Sequence, residues 1–270
     1  MTRDRCDQLL VSLPQHGSPL IVVDNGSRDG SSNAVRACRP DALLVLAGRN
    51  LGATARNTGV ELARTPYVAF ADDDSWWAAG ALDLAADVLD AHPEIAVVVA
   101  SVLVGPEERP DAINAMLRDS PLSDRPGLPG RPVLGFLACA AVVRRSAFLE
   151  AGGFDDVVFF FGEETRLALD LAADGWALQY LPELVVHHHP GQNRPENAGR
   201  PLLADRNELL TALMRRPWPV VARTATALAL AQDRWPALAA AARRTPRALR
   251  RRRRIPAHVE AQLRLLESPL

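Results

Sequence analysis

Lysine is missing from this sequence altogether, and all 31 basic residues are arginine. Without lysine the chain can form neither a lysine Schiff base nor the phosphate contact of a P-loop. Cysteine is scarce, and Cys6, Cys38 and Cys139 show neither disulfide nor metal-ligand spacing, which is typical of the reducing cytoplasm. The sequence also lacks an excess of one charge, since its net charge is −1. This excludes nucleic-acid binding by overall charge.

Long hydrophobic runs are absent as well. The longest candidate, residues 220–232, contains Arg223 and is shorter than the roughly 18 apolar residues of a membrane span. The amino terminus shows no basic-then-apolar signal segment, so we expect a cytoplasmic protein. With 270 residues, of which 48% are hydrophobic and 23% charged, the composition predicts one large soluble domain, or one domain with an appendage.

Short apolar runs alternate with helical segments over the first hundred residues. The strands are predicted at "PLIVVDNGS", "ALLVLAG", "YVAFADDD" and "IAVVVASVLV". This alternation predicts an α/β fold with a mostly parallel sheet flanked by helices. Residues 105–132 predict a surface loop around one short helix, and residues 201–270 a helical, arginine-rich extension. The first segment, "RDRCDQLLVSL", predicts a helix with no strand before it, although such a sheet ordinarily begins with a strand.

Polar residues collect where the predicted strands end. Asp24 and Asn25 follow the first strand, residues 72–74 are three aspartates after the third, and residues 187–189 are three histidines after the last. In an open α/β sheet the ligand crevice lies outside the carboxyl ends of the strands. These clusters therefore predict one common site, although each is also ordinary turn chemistry.

The aspartates favour a divalent cation. Asp72 and Asp74 are two apart, so their carboxylates lie on one side of an extended backbone. Such oxygen ligands suit Mg²⁺ or Mn²⁺ held together with substrate phosphates, and the alternative is a solvated acidic loop. Consecutive histidines on a strand point alternately, so at most one of them can join such a site, and zinc lacks further partners.

Two further segments carry candidate chemistry. The glycine-bearing turn "GRNLGATARNTG" leads into a helix with Arg56, which predicts a phosphate contact or else a plain loop with a solvated arginine. Glu163 and Glu164 begin another helix. A carboxylate there can act as a general base, or it can simply complement the helix dipole.

Together these motifs resemble those of family 2 glycosyltransferases, which are nucleotide-sugar enzymes of the GT-A fold. The segments that carry the resemblance occur in the family's order: "IVVDNGSRDGS", "NLGATARNTG", "YVAFADDDSW", "AAVVRRSAFLEAGGFDD", "FFGEETRLALDLAADGW" and "LPELVVHHHP". The resemblance covers roughly residues 2–195 and leaves the extension without a motif. It implies a GT-A domain over 1–200 that lacks its first strand, and an extension over 201–270.

The resemblance also implies roles for single residues. Asp24 contacts the nucleotide base, and Arg56 lies near the nucleotide or its diphosphate. Asp72 and Asp74 are the metal pair, with Asp72 also near the ribose, and His188 is an added metal ligand. The expected cofactor is Mn²⁺ or Mg²⁺.

The implied reaction is an inverting transfer from a UDP- or dTDP-sugar to an acceptor hydroxyl, for example on a lipid-linked glycan or a natural product. Glu164 lies where the family places the base that deprotonates this hydroxyl. Two departures stand out. The first strand is missing, and the charges at Arg166 and Asp170 are exchanged relative to the family, although the two can still meet at i,i+4.

Two other readings stay open. One is a truncated, non-catalytic protein that binds nucleotide sugars or a partner, which the missing strand favours. A nucleotidyltransferase is the other, and the lack of lysine disfavours it. The arginines of the extension are either a solvated helix end or a polybasic patch for the inner face of the membrane. They are Arg243, Arg244, Arg247 and the unbroken run 250–254.

Overall fold

Two β-sheets form the centre of the structure, a computed structural model that describes residues 1–17, 19–191 and 200–267. The smaller sheet consists of the parallel strands β1 (Ile21–Asp24) and β2 (Leu43–Leu46), joined by helix α2 (Ser31–Cys38). Helix α1 (Cys6–Ser12) covers one face, where Leu9 packs in the same apolar cluster as Val22. The first two predicted strands are therefore present and paired.

The larger sheet has seven strands within the described residues. Its central order is β3 (Tyr67–Ala69), β8 (Ala141–Arg144), β5 (Ile95–Val104), β9 (Ala177–His188) and β4 (Ser75–Trp77). Two short strands, β6 (Arg109–Pro110) and β7 (Arg131–Pro132), pair with β5 and β9 and belong to the predicted surface loop.

Helices pack on both faces of the larger sheet. They are α3 (Ala55–Leu62), α4 (Ala81–Ala91), α5 (Ala112–Arg118), α6 (Arg145–Glu150) and α7 (Glu163–Ala173). Because side chains alternate along a strand, Val97 of β5 joins the cluster with Leu167 of α7, whereas Val98 joins the cluster with Leu89 of α4. A continuous apolar strand such as β5 is thus buried on both sides.

The α/β class with flanking helices is confirmed, but the sheet is mixed rather than mostly parallel. β1–β2 and β5–β9 are parallel, whereas β8 runs antiparallel to both β3 and β5, and β4 runs antiparallel to β9. Parallel neighbours need a crossover connection, whereas a turn or a long loop can also return the chain in the opposite direction. β4 and β8 follow a tight turn and a long loop, so no crossover constrains their direction.

Residues 200–267 are helical and pack onto the sheet domain. The helices are α8 (Arg200–Arg215), α9 (Trp218–Leu230), α10 (Trp235–Arg250) and α11 (Ala257–Glu267). Their apolar cluster includes Val157 and Val158, which lie in the segment before α7. Residues 192–199, next to the predicted domain boundary, lie outside the described residues and include the end of the resemblance. None of the described helices is long and apolar enough to span a bilayer.

Candidate active site

The three aspartates form the turn between β3 and β4. The backbone N–H of Asp72 donates to Ser75 Oγ at 2.8 Å, and Ser75 N–H donates to Asp72 O at 3.3 Å, which closes the turn. The Asp74 side chain is buried, whereas Asp72 is one-third exposed. Burial, together with the charges of Asp74 and Asp72, raises the pKa of Asp73 to about 6. The cluster is therefore packed into the protein and is not a solvated loop.

Strand pairing brings one histidine to this turn. β4 lies antiparallel to β9 with Ser75 opposite His188, so His188 Nε2 comes within 3.4 Å of Asp74 Oδ1. His189 N–H donates to Asp74 O at 2.7 Å. The rings of His187 and His189 pack against Trp76 instead, with centroid distances of 5.6 and 4.5 Å. Only His188 faces the aspartate, as the alternation along a strand requires.

Arg56 connects the aspartate turn to the first turn of α7. Its guanidinium is 5% exposed and donates to Asp72 Oδ1 at 2.6 Å and to Glu163 Oε1 at 3.3 Å. Burial alone would lower the pKa of Arg56, but the charges of Asp72 and Glu163 outweigh it and raise that pKa. In this structure Arg56 is an ion-pair partner at the crevice and not a solvated arginine.

The two glutamates at the start of α7 lie in different environments. Gly162 precedes them with φ 82°, a left-handed conformation that glycine adopts without strain. Burial and the neighbouring Glu164 charge raise the pKa of Glu163 to about 8. Glu164 is half-buried and its Oε1 accepts from Ala138 N–H at 3.4 Å, while burial also raises its pKa. Both carboxyls therefore hold a proton more readily than a solvated glutamate does.

The side chains of Asp24 and Asn25, at the end of β1, form hydrogen bonds with neighbouring segments. Asp24 Oδ1 accepts from Ser27 N–H at 2.8 Å, and its Oδ2 accepts from the Ser32 hydroxyl. Burial would raise the pKa of Asp24, but these hydrogen bonds outweigh it and lower that pKa. Asn25 Oδ1 accepts from Leu51 N–H at 2.7 Å and so fixes the glycine-bearing turn to β1.

Arg166 and Asp170, whose charges are exchanged relative to the family, form an ion pair on α7. Arg166 Nη1 lies 2.7 Å from Asp170 Oδ2 at i,i+4, and 3.6 Å from Asp155 Oδ2. Arg215 of α8 also pairs with Asp170, at 3.0 Å between Nη2 and Oδ2. All four side chains are nearly fully buried. The exchange is therefore part of an internal ion network that joins α7 to the helical extension.

Two further side chains, which no sequence pattern had indicated, hold the loop before α7. Asn207 Nδ2 donates to the carbonyls of Phe160 and Phe161 at 2.7 and 2.5 Å. Arg206 Nη2 donates to Val158 O at 3.0 Å. Their partners are backbone carbonyls more than 40 residues earlier, so no local motif marks these residues.

The donor set at the aspartate turn fits Mn²⁺ or Mg²⁺. Asp74 and His188 are in contact, and the Asp72 carboxylate lies at the same turn. Across the described ranges, no group of three or more His, Cys, Asp or Glu is arranged to hold an ion by itself. These cations are commonly held by one or two carboxylates together with substrate phosphates. A set of protein ligands that leaves part of the coordination sphere unfilled suits an ion that binds together with a diphosphate.

The mixed sheet, the helices on both of its faces and the polar residues at the strand ends agree with the GT-A domain that the resemblance implied. The family model for glycosyl transferase family 2 matches residues 14–152, about half of the chain. The chain therefore belongs to glycosyl transferase family 2, as the resemblance implied.

Its relatives include two proteins of Mycobacterium tuberculosis. One is an N-acetylglucosaminyl-diphospho-decaprenol L-rhamnosyltransferase, 28% identical over 63% of this chain and 66% of the relative. The other is a pre-mycofactocin glycosyltransferase, 34% identical over 69% of this chain and 40% of the relative. The chain thus spans just under two thirds of the first relative's length and well under half of the second's.

Two solved structures share the fold. A mannosyltransferase from Pyrobaculum calidifontis, solved in complex with GDP-Man and Mn²⁺, has a TM-score of 0.59 at 21% identity. The comparison covers 98% of this chain and 82% of that one. S. aureus TarS in complex with UDP-GlcNAc has a TM-score of 0.58 at 16% identity, over 94% of this chain and 79% of TarS. At these identities the likeness supports the fold alone.

Proposed function

We propose that this protein is a metal-dependent inverting glycosyltransferase that moves a sugar from a UDP- or dTDP-sugar to an acceptor hydroxyl. The observation that carries the proposal is the cluster of groups around Arg56: it pairs with Asp72, whose turn also holds the Asp74–His188 pair, and the charge of Glu164 acts on it as well. A cation site, a cationic side chain and a partly buried base are the parts that this transfer needs.

Each group of the chain has a distinct task in the proposed reaction. Asp74 and His188, together with Asp72 of the same turn, would hold the divalent cation, which when bound would supply positive charge against the departing nucleoside diphosphate. Arg56 orients Asp72 through the hydrogen bond between them. Its proposed role is to contact the phosphates of the donor. Glu164 accepts the proton of the acceptor hydroxyl as that oxygen attacks the anomeric carbon from the face opposite the leaving group. Asp24 stays assigned to the nucleotide base.

The acceptor is proposed to be lipid-linked. The rhamnosyltransferase relative is named for a diphospho-decaprenol acceptor, and this supports a polyprenyl diphosphate sugar here too. The pre-mycofactocin relative instead supports a small natural product. Assays with both acceptor classes, read by mass spectrometry, separate these two options.

Calorimetric titration of UDP and dTDP, with Mn²⁺ and with EDTA, tests the metal role. We expect binding only with Mn²⁺, and we expect Asp74→Asn to weaken it strongly because the carboxylate facing His188 is lost. Asp73→Asn is the matched control, since Asp73 belongs to the same turn and has no such imidazole partner among its described contacts. Equal binding in EDTA would falsify the metal-dependent site.

The second candidate function is a non-catalytic nucleotide-sugar-binding protein. It is favoured by a cavity of about 1110 Å³ beside β1 and β3, whose lining includes Arg56 and Asp72 but not the proposed base Glu164. Release of nucleoside diphosphate from a bound donor, followed over time, separates the two functions. Binding without any release or transfer, across both acceptor classes, supports this second function. For a transferring enzyme, the anomeric configuration of the product by NMR tests inversion.

A further inference from the structure

The loop of residues 159–162 joins two parts of the crevice. On one side, Phe159 O accepts from Ala53 N–H at 2.6 Å, and Ala53 belongs to the glycine-bearing turn that leads into α3 and Arg56. On the other side, α7 begins directly after the loop and carries Glu164 in its first turn. The conformation of this loop therefore affects how the first turn of α7 lies relative to Arg56.

The loop is not held in shape by its own backbone preferences. Phe159 and Phe161 have φ of 72° and 78°, and Gly162 has φ of 82°, so most of the loop is left-handed. Such a conformation persists in non-glycine residues only where the surrounding structure imposes it. A Cβ on Gly52 would lie 2.3 Å from Phe159 O, so the glycine-bearing turn packs directly against the loop and restrains its first residue.

Asn207 of α8 restrains the end of the loop that precedes α7. Its Nδ2 donates to Phe160 O at 2.7 Å and to Phe161 O at 2.5 Å, so both N–H groups of the amide bond to the loop. Its Oδ1 accepts from Arg206 Nε at 2.8 Å, which fixes the orientation of the amide. The side chain is 2% exposed, and its Cβ lies 4.0 Å from the position of a Cβ on Gly162. Asn207 is thus buried against the segment that begins α7.

The side chain of Glu164 is weakly held by its own contacts. Its Oε1 accepts from Ala138 N–H at 3.4 Å, which is long for a hydrogen bond. Among the described residues Glu164 forms no ion pair, whereas Glu163 beside it lies 3.3 Å from Arg56. The direction of the Glu164 carboxylate therefore depends mainly on the backbone of the first turn of α7, and that backbone continues from the loop.

We propose that Asn207 is a positioning residue for Glu164. By fixing the carbonyls of Phe160 and Phe161, it sets the backbone from which α7 starts, and so the direction of the Glu164 carboxylate. It acts through Glu164 and not by contact with the substrates. The proposal rests on the proposed function, in which Glu164 accepts the proton of the acceptor hydroxyl. Misplacement of a catalytic group by about 1 Å can cost roughly 100-fold in rate, so a shift of this loop has a measurable effect.

A double-mutant cycle in the full chain tests the proposal. Asn207→Ala should lower kcat roughly 10- to 100-fold while the KM for the donor stays within about twofold, because the base shifts and the cation site does not. In the Glu164→Gln background the same change should cost less than about threefold, since no base is left to misplace. Equal losses of kcat in the two backgrounds would overturn the proposal.

Asn114→Ala is the matched control. Asn114 Nδ2 donates to Val102 O and its Oδ1 accepts from Val102 N–H, both at 2.9 Å, so this asparagine also bonds to the backbone of another segment. Its loss should lower Tm, because two hydrogen bonds are removed, and should leave kcat and KM unchanged. A fall in kcat as large as that of Asn207→Ala would attribute the effect to general destabilisation and would overturn the proposal.

Asn207→Asp separates hydrogen-bond donation from shape, and it replaces the alanine variant if that variant does not fold. Aspartate keeps the size of the side chain and an acceptor for Arg206, but it has no N–H for the two carbonyls. We expect kcat to fall as for alanine, and amide hydrogen exchange at residues 161–164 to become at least about tenfold faster than in wild type. Unchanged exchange, or an unchanged kcat, would overturn the proposal.

Failure of the positioning role and failure of the proposed function give different results. A wild-type chain that transfers sugar, with equal losses of kcat in the two backgrounds, contradicts the positioning role alone. A wild-type chain that transfers sugar to neither acceptor class contradicts the proposed function and the positioning role together.

Discussion

At the residue scale, the carboxylates of the site differ in whether they contact Arg56. Its guanidinium contacts Asp72 and Glu163, which come from the β3–β4 turn and from α7. Glu164, the next residue, instead accepts a hydrogen bond from Ala138 N–H. Glu163 is 2% exposed and bonded to Arg56, whereas Glu164 is half-buried, and a base must reach the hydroxyl that it deprotonates. Glu164 is therefore the better candidate for the base.

Glu164→Gln should reduce kcat by about 10²- to 10⁴-fold while donor binding persists, because the amide keeps the shape of the side chain but cannot accept a proton. Steady-state transfer rates and donor titration measure the two effects. Glu150→Gln, at an exposed position on α6, is the matched control and should leave both unchanged. Retained activity of Glu164→Gln would rule out this residue as the base.

Glu163 makes stability depend on pH. Its pKa is raised from 4.5 to about 8, so between these values the folded state binds more protons than the unfolded state. The stabilisation is complete below about pH 4.5 and is lost as pH rises towards 8, with a slope of at most about 1.4 kcal/mol per pH unit.

Glu163→Gln should flatten this part of the profile, since glutamine does not titrate. Tm measured from pH 5 to 8 for both proteins checks it. A wild-type Tm that rises steadily over this range would contradict the sign of the effect.

The loop before α7 shows, at the scale of elements, how the extension supports the site. Phe159 and Phe161 have φ of 72° and 78°, a left-handed conformation that costs non-glycine residues about 1–3 kcal/mol each. Ala53 N–H donates to Phe159 O at 2.6 Å, and Asn207 of α8 holds the carbonyls of Phe160 and Phe161. The extension thus keeps a strained loop in place directly before Glu163.

Arg247→Gln/Arg251→Gln should destabilise the fold by about 1–2 kcal/mol, which lowers Tm by roughly 2–8 °C. Arg251 pairs with Asp155 at 2.9 Å and Asp156 at 2.6 Å, and Arg247 pairs with Asp156 at 2.6 Å. Both arginines are about half exposed, so each pair is screened, but Asp155 is buried and loses one of its cations.

The control for this pair is Arg250→Gln/Arg254→Gln. These two arginines come from the same run, are exposed, and have no hydrogen bond or ion pair among the contacts described. Thermal unfolding should place the control within about 0.5 kcal/mol of wild type. A control as destabilised as the first variant would show that the loss comes from charge alone and not from the ion pairs.

Charge distribution over the whole molecule bears on membrane contact. Of the eight arginines in the predicted patch, five bond within the protein: Arg244, Arg247, Arg251, Arg252 and Arg253. Arg252 also lies over the Trp218 ring at 4.1 Å. Three remain, Arg243, Arg250 and Arg254. The patch therefore serves mainly to dock the extension onto the sheet domain.

Peripheral membrane binding should accordingly be weak. Three arginines at about 1 kcal/mol each give roughly 3 kcal/mol in total, too little for stable docking. Sedimentation with anionic and neutral vesicles at low and physiological salt measures this, and we expect no binding at physiological salt. Strong, salt-sensitive binding to anionic vesicles alone would instead support membrane binding by the polybasic patch.

The sequence by itself determined the elements and the places where chemistry collects. The apolar runs and the polar residues after them predicted β1, β2, β3 and β5, because a short apolar run bounded by turn residues is typical of a strand. Ordered motifs then gave the family. These are local properties, and they depend on a few neighbouring residues only.

The tertiary structure alone decided which distant residues meet. His188 reaches Asp74 because β4 pairs antiparallel with β9, and Asp170 meets Arg215 because α8 packs on α7. Strand direction and ion pairs between helices depend on contacts across the chain that no local pattern encodes.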